Sequence, residues 1–202
     1  MGLEERAVGS EQRHGNGSFT LQTERLLLRN FRDEDFGTVH AYGTDMEVVR
    51  YMPWGPNTEA DTREFLTGAQ NGARLEPRTD FDLAVVRKDT RQVIGGIGLH
   101  VHGFNAMLGY CFARGAWGSG YATEASRGLV DFGFRTQGIH RVWAGCDPEN
   151  TASARVLKKL GMSQEGHFRQ DVRIRGEWRD TLVFAVLRDE WTGSGPSSPP
   201  VL

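Results

Sequence analysis

Only two cysteines, Cys111 and Cys146, occur among the 202 residues, too few for a disulfide framework and in keeping with a reducing compartment. No apolar run approaches the roughly 20 residues that cross a bilayer; the longest, such as Thr181 to Leu187, are the size of a strand. The first residues lack the continuous apolar segment of a signal peptide. These absences set the expectation of a cytoplasmic protein with no membrane partner. Neither sign of charge is in excess: 24 Lys and Arg stand against 26 Asp and Glu, a net charge of -2. No field gathers a polyanion, so nucleic acid is not an expected partner.

What is present is an ordinary globular mixture, 38% hydrophobic and 25% charged, in a length that suits one core. Residues 1–18 are rich in Gly, Glu, Arg and Ser without apolar periodicity, and 192–202 reads TGSGPSSPPVL. Both ends are expected to be flexible, which leaves a single domain over 19–191.

Thr23-Glu24-Arg25-Leu26-Leu27-Leu28-Arg29 predicts a first strand. Asp33-Glu34-Asp35 suits the start of a helix to about Tyr42, because acidic side chains meet the positive end of the dipole. Thr58-Glu59-Ala60-Asp61 has the form of a cap for a second helix to about Arg74. Between them lies a stiff aromatic loop, Tyr51-Met52-Pro53-Trp54-Gly55-Pro56. Phe81 to Val86 and Gln92 to Val101 form a hairpin across Lys88-Asp89-Thr90-Arg91, and Ala106 to Ala113 adds an adjacent strand. A Gly-rich turn, a helix from Tyr121 to about Thr136, a strand from Arg141 to Cys146 and a helix from Thr151 to Leu160, ended by Gly161, follow. His167 to Arg175 and Trp178 to Leu187 make a closing hairpin around Gly176-Glu177. The expected class is α/β (α+β): a mixed, mainly antiparallel sheet of about seven strands flanked by helices.

The segment from Arg114 to Ala125, RGAWGSGYATEA, joins a strand end directly to a helix start. A helix N-terminus carries unpaired N–H groups and about half a positive charge, and glycines admit a phosphate close to the main chain. Such a turn suits a pyrophosphate, and it equally suits a plain connection in which Gly supplies positive φ. It is not a P-loop, which needs Gly-Lys-Ser/Thr, nor a dinucleotide fingerprint, which needs a third Gly where Thr123 stands. The strand before it alternates, unlike one buried on both faces. An anion held here belongs to another ligand.

Trp117-Gly118-Ser119-Gly120-Tyr121-Ala122-Thr123-Glu124-Ala125 resembles the acyl-CoA-binding motif of the GNAT acetyltransferase superfamily, nearest to the branch that acetylates ribosomal-protein N-termini. Asp147-Pro148-Glu149-Asn150-Thr151-Ala152-Ser153, with Leu157 and Leu160-Gly161-Met162, is similar to that family's Asn-x-x-Ser helix. Thr23-Glu24-Arg25-Leu26 and Gly176-Glu177-Trp178-Arg179-Asp180 fit the same branch, so the likeness runs from about Leu21 to Trp191. The resemblance implies a GNAT fold whose sheet splays at the cofactor, acetyl-CoA as cosubstrate and no metal. It implies that the N–H groups around Trp117, Gly118, Ser119, Gly120, Tyr121 and Ala122 hold the pyrophosphate. The strand carrying Cys111 and Phe112 then splays from the one ending at Cys146, and the pantetheine arm lies in the gap. By the same resemblance Asn150 bonds the arm, Ser153 lies near the thioester sulfur, and a homodimer is common. Two positions depart from the family pattern. Gly115 stands at the motif's usual Arg/Gln place, with Arg114 one residue earlier, and Leu157 stands where many members have a tyrosine acid.

Acetylating an amine needs a neutral nucleophile, a site for the oxyanion and a proton for the departing thiolate; no covalent enzyme intermediate is required. With Leu157 unable to donate, Ser153 is the candidate acid, its other reading being a hydroxyl that bonds only backbone or cofactor. Asp171, at the start of the final hairpin region, is the first candidate base. Glu149, Asp147, His167, Asp180 and an ordered water are alternatives, and each side chain also reads as a solvated or ion-paired charge. A cysteine nucleophile with His140 or His167 is disfavoured, since unmodified Cys is commonly a small buried apolar residue. His100-x-His102 suggests zinc only if further ligands converge. Tyr51, Trp54 and Trp178 either wall the acceptor site or cover the core. The expected function is transfer of acetyl from acetyl-CoA to a primary amine, first a protein N-terminal α-amine. The alternatives are a small-molecule amine (an antibiotic, polyamine or amino acid) and a non-catalytic acyl-CoA-binding module.

Overall fold

The computed structural model describes residues 19–193; of the flexible ends expected at 1–18 and 192–202, all but residues 192 and 193 lie outside the described residues. The chain opens with Thr20–Gln22 (β1) and Leu26–Asn30 (β2), two strands where one was expected. Thr23 makes the break. Its N–H donates to the Leu26 carbonyl at 2.9 Å and its hydroxyl accepts the Leu26 N–H at 3.2 Å, the local competition with the sheet ladder that Thr side chains offer. A 3-10 turn, Asp33–Asp35, leads into α1, Phe36–Thr44. At α2, Glu59–Gly72, the Thr58 cap forms as its spacing predicts. The Thr58 hydroxyl accepts the Asp61 N–H at 3.2 Å and the Asp61 carboxylate accepts the Thr58 N–H at 2.8 Å, satisfying two orphan donors at once.

The remaining elements are β3 (Leu83–Arg87), β4 (Val93–His102), β5 (Asn105–Phe112), α3 (Tyr121–Thr136), β6 (Arg141–Cys146), α4 (Thr151–Lys159), β7 (Ser163–Ile174) and β8 (Glu177–Leu187). Among the described residues the eight strands, against about seven expected, form one sheet in the order β1-β2-β3-β4-β5-β6-β8-β7. Every neighbouring pair is antiparallel except β5 with β6. Ile174 pairs with Glu177, so the last hairpin turns at Arg175-Gly176, one residue earlier than expected. Both turn residues have positive φ, 46° and 90°, as the tight turn matching strand twist requires.

α3 and α4 cover one face of the sheet. α3 buries Ala125, Leu129 and Phe132 at the i, i+4, i+7 spacing of an apolar stripe, and the Phe132 ring meets Phe19 and Phe81 edge-on with centroids 5.0 Å apart in each case. α1 and α2 cover the other face with a smaller cluster that includes Phe31, Val39, Tyr42 and Leu66. That second layer is fastened by a buried ion pair. The Arg29 guanidinium on β2 grips the Asp35 carboxylate through two bonds of 2.7 Å, and Asp35 also accepts the Arg32 N–H at 2.9 Å. Among the described residues no helix is long and apolar enough to cross a membrane.

Removing one partner of a buried pair strands the other charge, at a cost of about 3–5 kcal/mol. Asp35→Ala is therefore expected to lower unfolding free energy in urea by that amount; a loss below about 1 kcal/mol contradicts the assignment of this pair as the fastening of α1.

Candidate active site

β5 and β6 pair at only three positions, Asn105 with Arg141, Ala106 with Val142 and Met107 with Trp143. Beyond them β5 stays with β4 as far as Phe112 opposite Gly95, and β6 stays with β8 as far as Cys146 opposite Leu182. The sheet therefore opens into a cleft between two strand edges, whose backbone donors and acceptors face outward from their own halves. This is the expected splay.

The glycine turn stands at the mouth of that cleft. Arg114–Ala116 forms a 3-10 turn, and the Trp117 indole N–H returns to the Phe112 carbonyl at 2.8 Å, locking the turn onto the end of β5. The main-chain N–H of Trp117 is already bonded to the Arg114 carbonyl at 3.1 Å, so it is not open to an anion as the resemblance implied. The helical ladder starts with the Glu124 N–H on the Gly120 carbonyl at 3.0 Å. The N–H groups of Tyr121, Ala122 and Thr123 precede that first bond and point out of the helix end. Gly120, with φ 80°, and Gly118, with φ 74°, bend the chain around them. Glu124 is clamped in turn: its carboxylate accepts the Thr23 hydroxyl at 2.6 Å, the Arg25 main-chain N–H at 2.7 Å and the Arg25 Nε at 2.6 Å. Arg25 also donates to the Ser119 carbonyl at 3.0 Å, and those bonds hold the Glu124 carboxyl below its ordinary range despite the opposing effect of burial. The turn is thus held to the β1–β2 connection rather than left as a free loop.

Inside the cleft, residues of β5 alternate between the two faces. Tyr110 and Phe112 lie with the α3–α4 core, whereas Cys111 packs with the α1–α2 cluster. The Tyr110 hydroxyl lies 2.8 Å from the Ser153 hydroxyl and 3.3 Å from the Ser153 carbonyl. Burial is the largest influence on Tyr110 and pushes its pKa up to about 12, so the phenol stays protonated near neutrality. Sequence reasoning missed this tyrosine, because it arrives from a strand and not from the helix position that Leu157 occupies. Leu157 itself is fully buried in the core. Asn150 caps α4, its side-chain oxygen accepting the Ser153 N–H at 3.1 Å, so the amide nitrogen takes no part in the cap. The two cysteines are poor nucleophiles here. Burial pushes the Cys111 thiol up to about 12 and, with the Asp147 charge adding, raises that of Cys146, the opposite of an activated thiolate.

On the α1–α2 face a cavity of about 890 Å³ opens against the same cleft, and of the residues singled out from the sequence Tyr51, Trp54, Cys111, Cys146, Asp147, Asp171 and Asp180 line it. Trp178 does not line it; the side chain stands 58% exposed on the hairpin. Ile174, Asp180 and Thr181 of the same hairpin do line it. Arg175 at the hairpin tip donates to the carbonyls of Gly55 at 3.2 Å and Val49 at 3.0 Å, and to that of Arg50. The aromatic loop and the hairpin are thereby joined into one wall.

Most of the carboxylates considered as bases are engaged. Asp147 takes the Arg179 Nε at 2.8 Å and Glu149 takes its terminal nitrogen at 2.7 Å. Asp180 accepts the Gln170 N–H at 2.9 Å and meets the His167 ring at 2.7 Å, bracing the irregular stretch of β7 between Phe168 and Val172. Asp171 sits in that stretch, exposed at the rim of the cavity. Asp82, not selected from the sequence, and His100, noted there only as a possible zinc ligand, also line it; His100 is taken up by Asp80, 2.8 Å away.

Comparison with known proteins agrees with this architecture. Residues 25–163 match the family described as "Acetyltransferase (GNAT) domain". The uncharacterized N-acetyltransferase YnaD of Bacillus subtilis is 34% identical over 177 residues, 85% of this chain and 98% of the relative. The [ribosomal protein uS5]-alanine N-acetyltransferase of Escherichia coli is 30% identical over 183 residues, 85% of this chain and 92% of that one. Among solved structures, a GNAT-family acetyltransferase from Bacillus anthracis superposes with a TM-score of 0.75 at 33% identity, covering 84% of this chain and 99% of its own. With the splayed sheet and the glycine turn in place over most of its length, the chain belongs to the GNAT acetyltransferase family.

Proposed function

We propose that this protein transfers the acetyl group of acetyl-CoA to a primary amine by direct attack within a ternary complex, and that the first acceptor class is a protein N-terminal α-amine. The observation that carries the reading is the meeting of two half-sites at one cleft. On the α3–α4 face, main-chain donors from Gly118 to Thr123 suit a pyrophosphate, and the open edges of β5 and β6 suit the amides of a pantetheine arm. Asn150 then reaches the arm with its free amide, and the sulfur arrives beside Tyr110 and Ser153. On the other face, the cavity behind Tyr51 and Trp54 receives the amine. Holding both reactants there supplies up to roughly 7–11 kcal/mol through proximity.

In this reading the proton-bearing group at sulfur is Tyr110, with Ser153 holding its hydroxyl in place. Full transfer from a phenol of pKa about 12 to a thiolate of ordinary pKa near 8.5 runs uphill. Tyr110 therefore acts by donating a hydrogen bond to the sulfur as its charge develops. An acceptor cavity whose lining includes the exposed Asp171 suits a chain that continues outward from its terminal amine, and the alanine acceptor named for the Escherichia coli relative is of that kind. A second reading, a polycationic small amine, is favoured by the carboxylates of Asp82, Asp171 and Asp180 within the cavity.

The test is release of free CoA thiol from acetyl-CoA in the presence of alanine-initiated peptides or of small amines. Turnover with the peptides supports the first reading and turnover with small amines alone supports the second. Acetyl-CoA binding with no release above the blank contradicts both and leaves a non-catalytic module. Gly120→Glu, which forces a side chain onto a positive φ and sets a charge against the phosphates, is expected to weaken acetyl-CoA binding at least tenfold by calorimetry (about 1.4 kcal/mol). Unchanged affinity contradicts the cradle. Tyr110→Phe is expected to lower kcat by roughly tenfold to a hundredfold, at the low end of acid–base contributions, with acetyl-CoA affinity within about twofold of the parent. An unchanged kcat leaves the hydroxyl a structural role only.

A further inference from the structure

We infer that Asp82 and His100 form the seat of the acceptor's ammonium group, and that His100 Nε2 takes its proton while Asp80 fixes the imidazole tautomer. The inference rests on the acetyltransferase reading above and names the residues that would prepare its nucleophile.

Three features of the structure lead to it. First, His100 Nδ1 lies 2.8 Å from Asp80 Oδ1. An ionised carboxylate only accepts, so in the neutral ring the hydrogen sits on Nδ1 and Nε2 is presented as a bare acceptor. Burial raises the Asp82 pKa but the His100 bond lowers that of Asp80, which keeps Asp80 the ionised partner. Second, Nε2 faces Asp82 Oδ1 at 3.6 Å, beyond hydrogen-bond range, and neither atom brings a hydrogen. Among the described residues nothing donates to the Asp82 carboxylate. The nearby Arg78 sends its Nε to the Asp80 carbonyl and one terminal nitrogen to Asn30. Two acceptors held face to face at the wall of a cavity call for a donor with at least two hydrogens, and an alkylammonium is one.

Third, the pair has a clear path to the cleft. A Cβ added to Gly98 would stand 2.8 Å from His100 Nε2 and 2.9 Å from Asp82 Oδ1, so both tips lie over a glycine. Its cross-strand partner on β5 is Gly109, above which nothing stands within 4 Å. A floor without side chains therefore leads from the pair to the β5 edge of the cleft. Any larger residue at 98 displaces the pair.

The step balances as follows. The ammonium donates one N–H to Asp82 and passes another proton to Nε2, which becomes an imidazolium. The freed lone pair forms the C–N bond at the thioester carbonyl, the C–S bond breaks with its electron pair on sulfur, and the surplus proton of the nitrogen ends on the coenzyme thiol. The imidazolium returns its proton to water. The charged and titratable groups around His100 are Asp80, Asp82 and Arg78 on the segment entering β3, with His102 on its own strand. Asp61 of α2, Asp171 and Asp180 of the hairpin, Asp147 after β6, and Tyr110 and Cys111 of β5 line the same cavity.

The experiment is the pH dependence of kcat with a saturating alanine-initiated peptide for the parent, His100→Gln, Asp80→Asn and Asp82→Asn. Acetyl-CoA affinity serves as the control for folding. His100→Gln is expected to lower kcat by about a hundredfold or more and to abolish the acidic limb. Asp80→Asn should lower kcat at least tenfold, and Asp82→Asn should chiefly raise KM for the peptide; acetyl-CoA affinity stays unchanged in all three. In the parent, nitrogen NMR of His100 should show the Nδ1–H tautomer. A kcat and acidic limb retained by His100→Gln, or an Nε2–H tautomer, overturns this proposal alone. A parent protein that binds acetyl-CoA and acetylates no peptide or small amine overturns the acetyltransferase reading and this one with it.

Discussion

The early end of pairing between β5 and β6 is the constraint from which the rest follows. A parallel pair that stops after Met107 and Trp143 leaves two strand edges facing each other across a gap, and a gap through a sheet connects its two faces. Side chains alternate along β5, so Tyr110 is delivered to the face covered by α3 and α4 while Gly109 and Cys111 look toward α1 and α2. A reaction between a coenzyme and an amine can then be run through the sheet, with each partner held on its own side. Closing the ladder would join the halves and leave no place for a thioester.

A gap of this kind weakens the sheet where rigidity is most needed, and the structure offsets it with side-chain clamps from distant parts of the chain. Glu124 binds the start of α3 to the β1–β2 turn through Thr23 and Arg25. Arg175 binds the hairpin tip to the aromatic loop through main-chain carbonyls. Arg179 holds Asp147 and Glu149 at the end of β6, and Arg29 with Asp35 holds the start of α1. Asp147 and Glu149, which read as possible bases in the sequence, are here ties between elements, and the arginine that binds Asp147 lies 32 positions away.

That distinction explains what was legible in advance. Signals carried by neighbouring residues were readable: the Thr58 cap, the glycine turn opening α3, and the Asn150 to Ser153 start of α4 all occupy the places their local chemistry dictates. The split of the first strand was missed because Thr23 turns the chain through its bonds to Leu26, so the leucine run forms its strand only from Leu26 onward. That Trp178 stands outside the cavity was not legible, because the facing of a hairpin residue depends on register, and β7 carries two irregularities. Tyr110 was invisible for the same reason, since only the fold brings a strand residue beside Ser153. His100-x-His102 attracted notice as paired imidazoles, yet the partners of His100 came from the neighbouring segment, Asp80 and Asp82, across a strand pairing that no spacing rule reveals.

The account stands or falls on where the coenzyme lies, and amide hydrogen exchange with and without acetyl-CoA reads that directly. Amides of residues 118–123, which precede the helical ladder, should exchange rapidly in the free protein and slow at least tenfold on binding, together with those along 108–112 of β5. Protection confined to α1, α2 and the aromatic loop, with residues 118–123 unaffected, would contradict it.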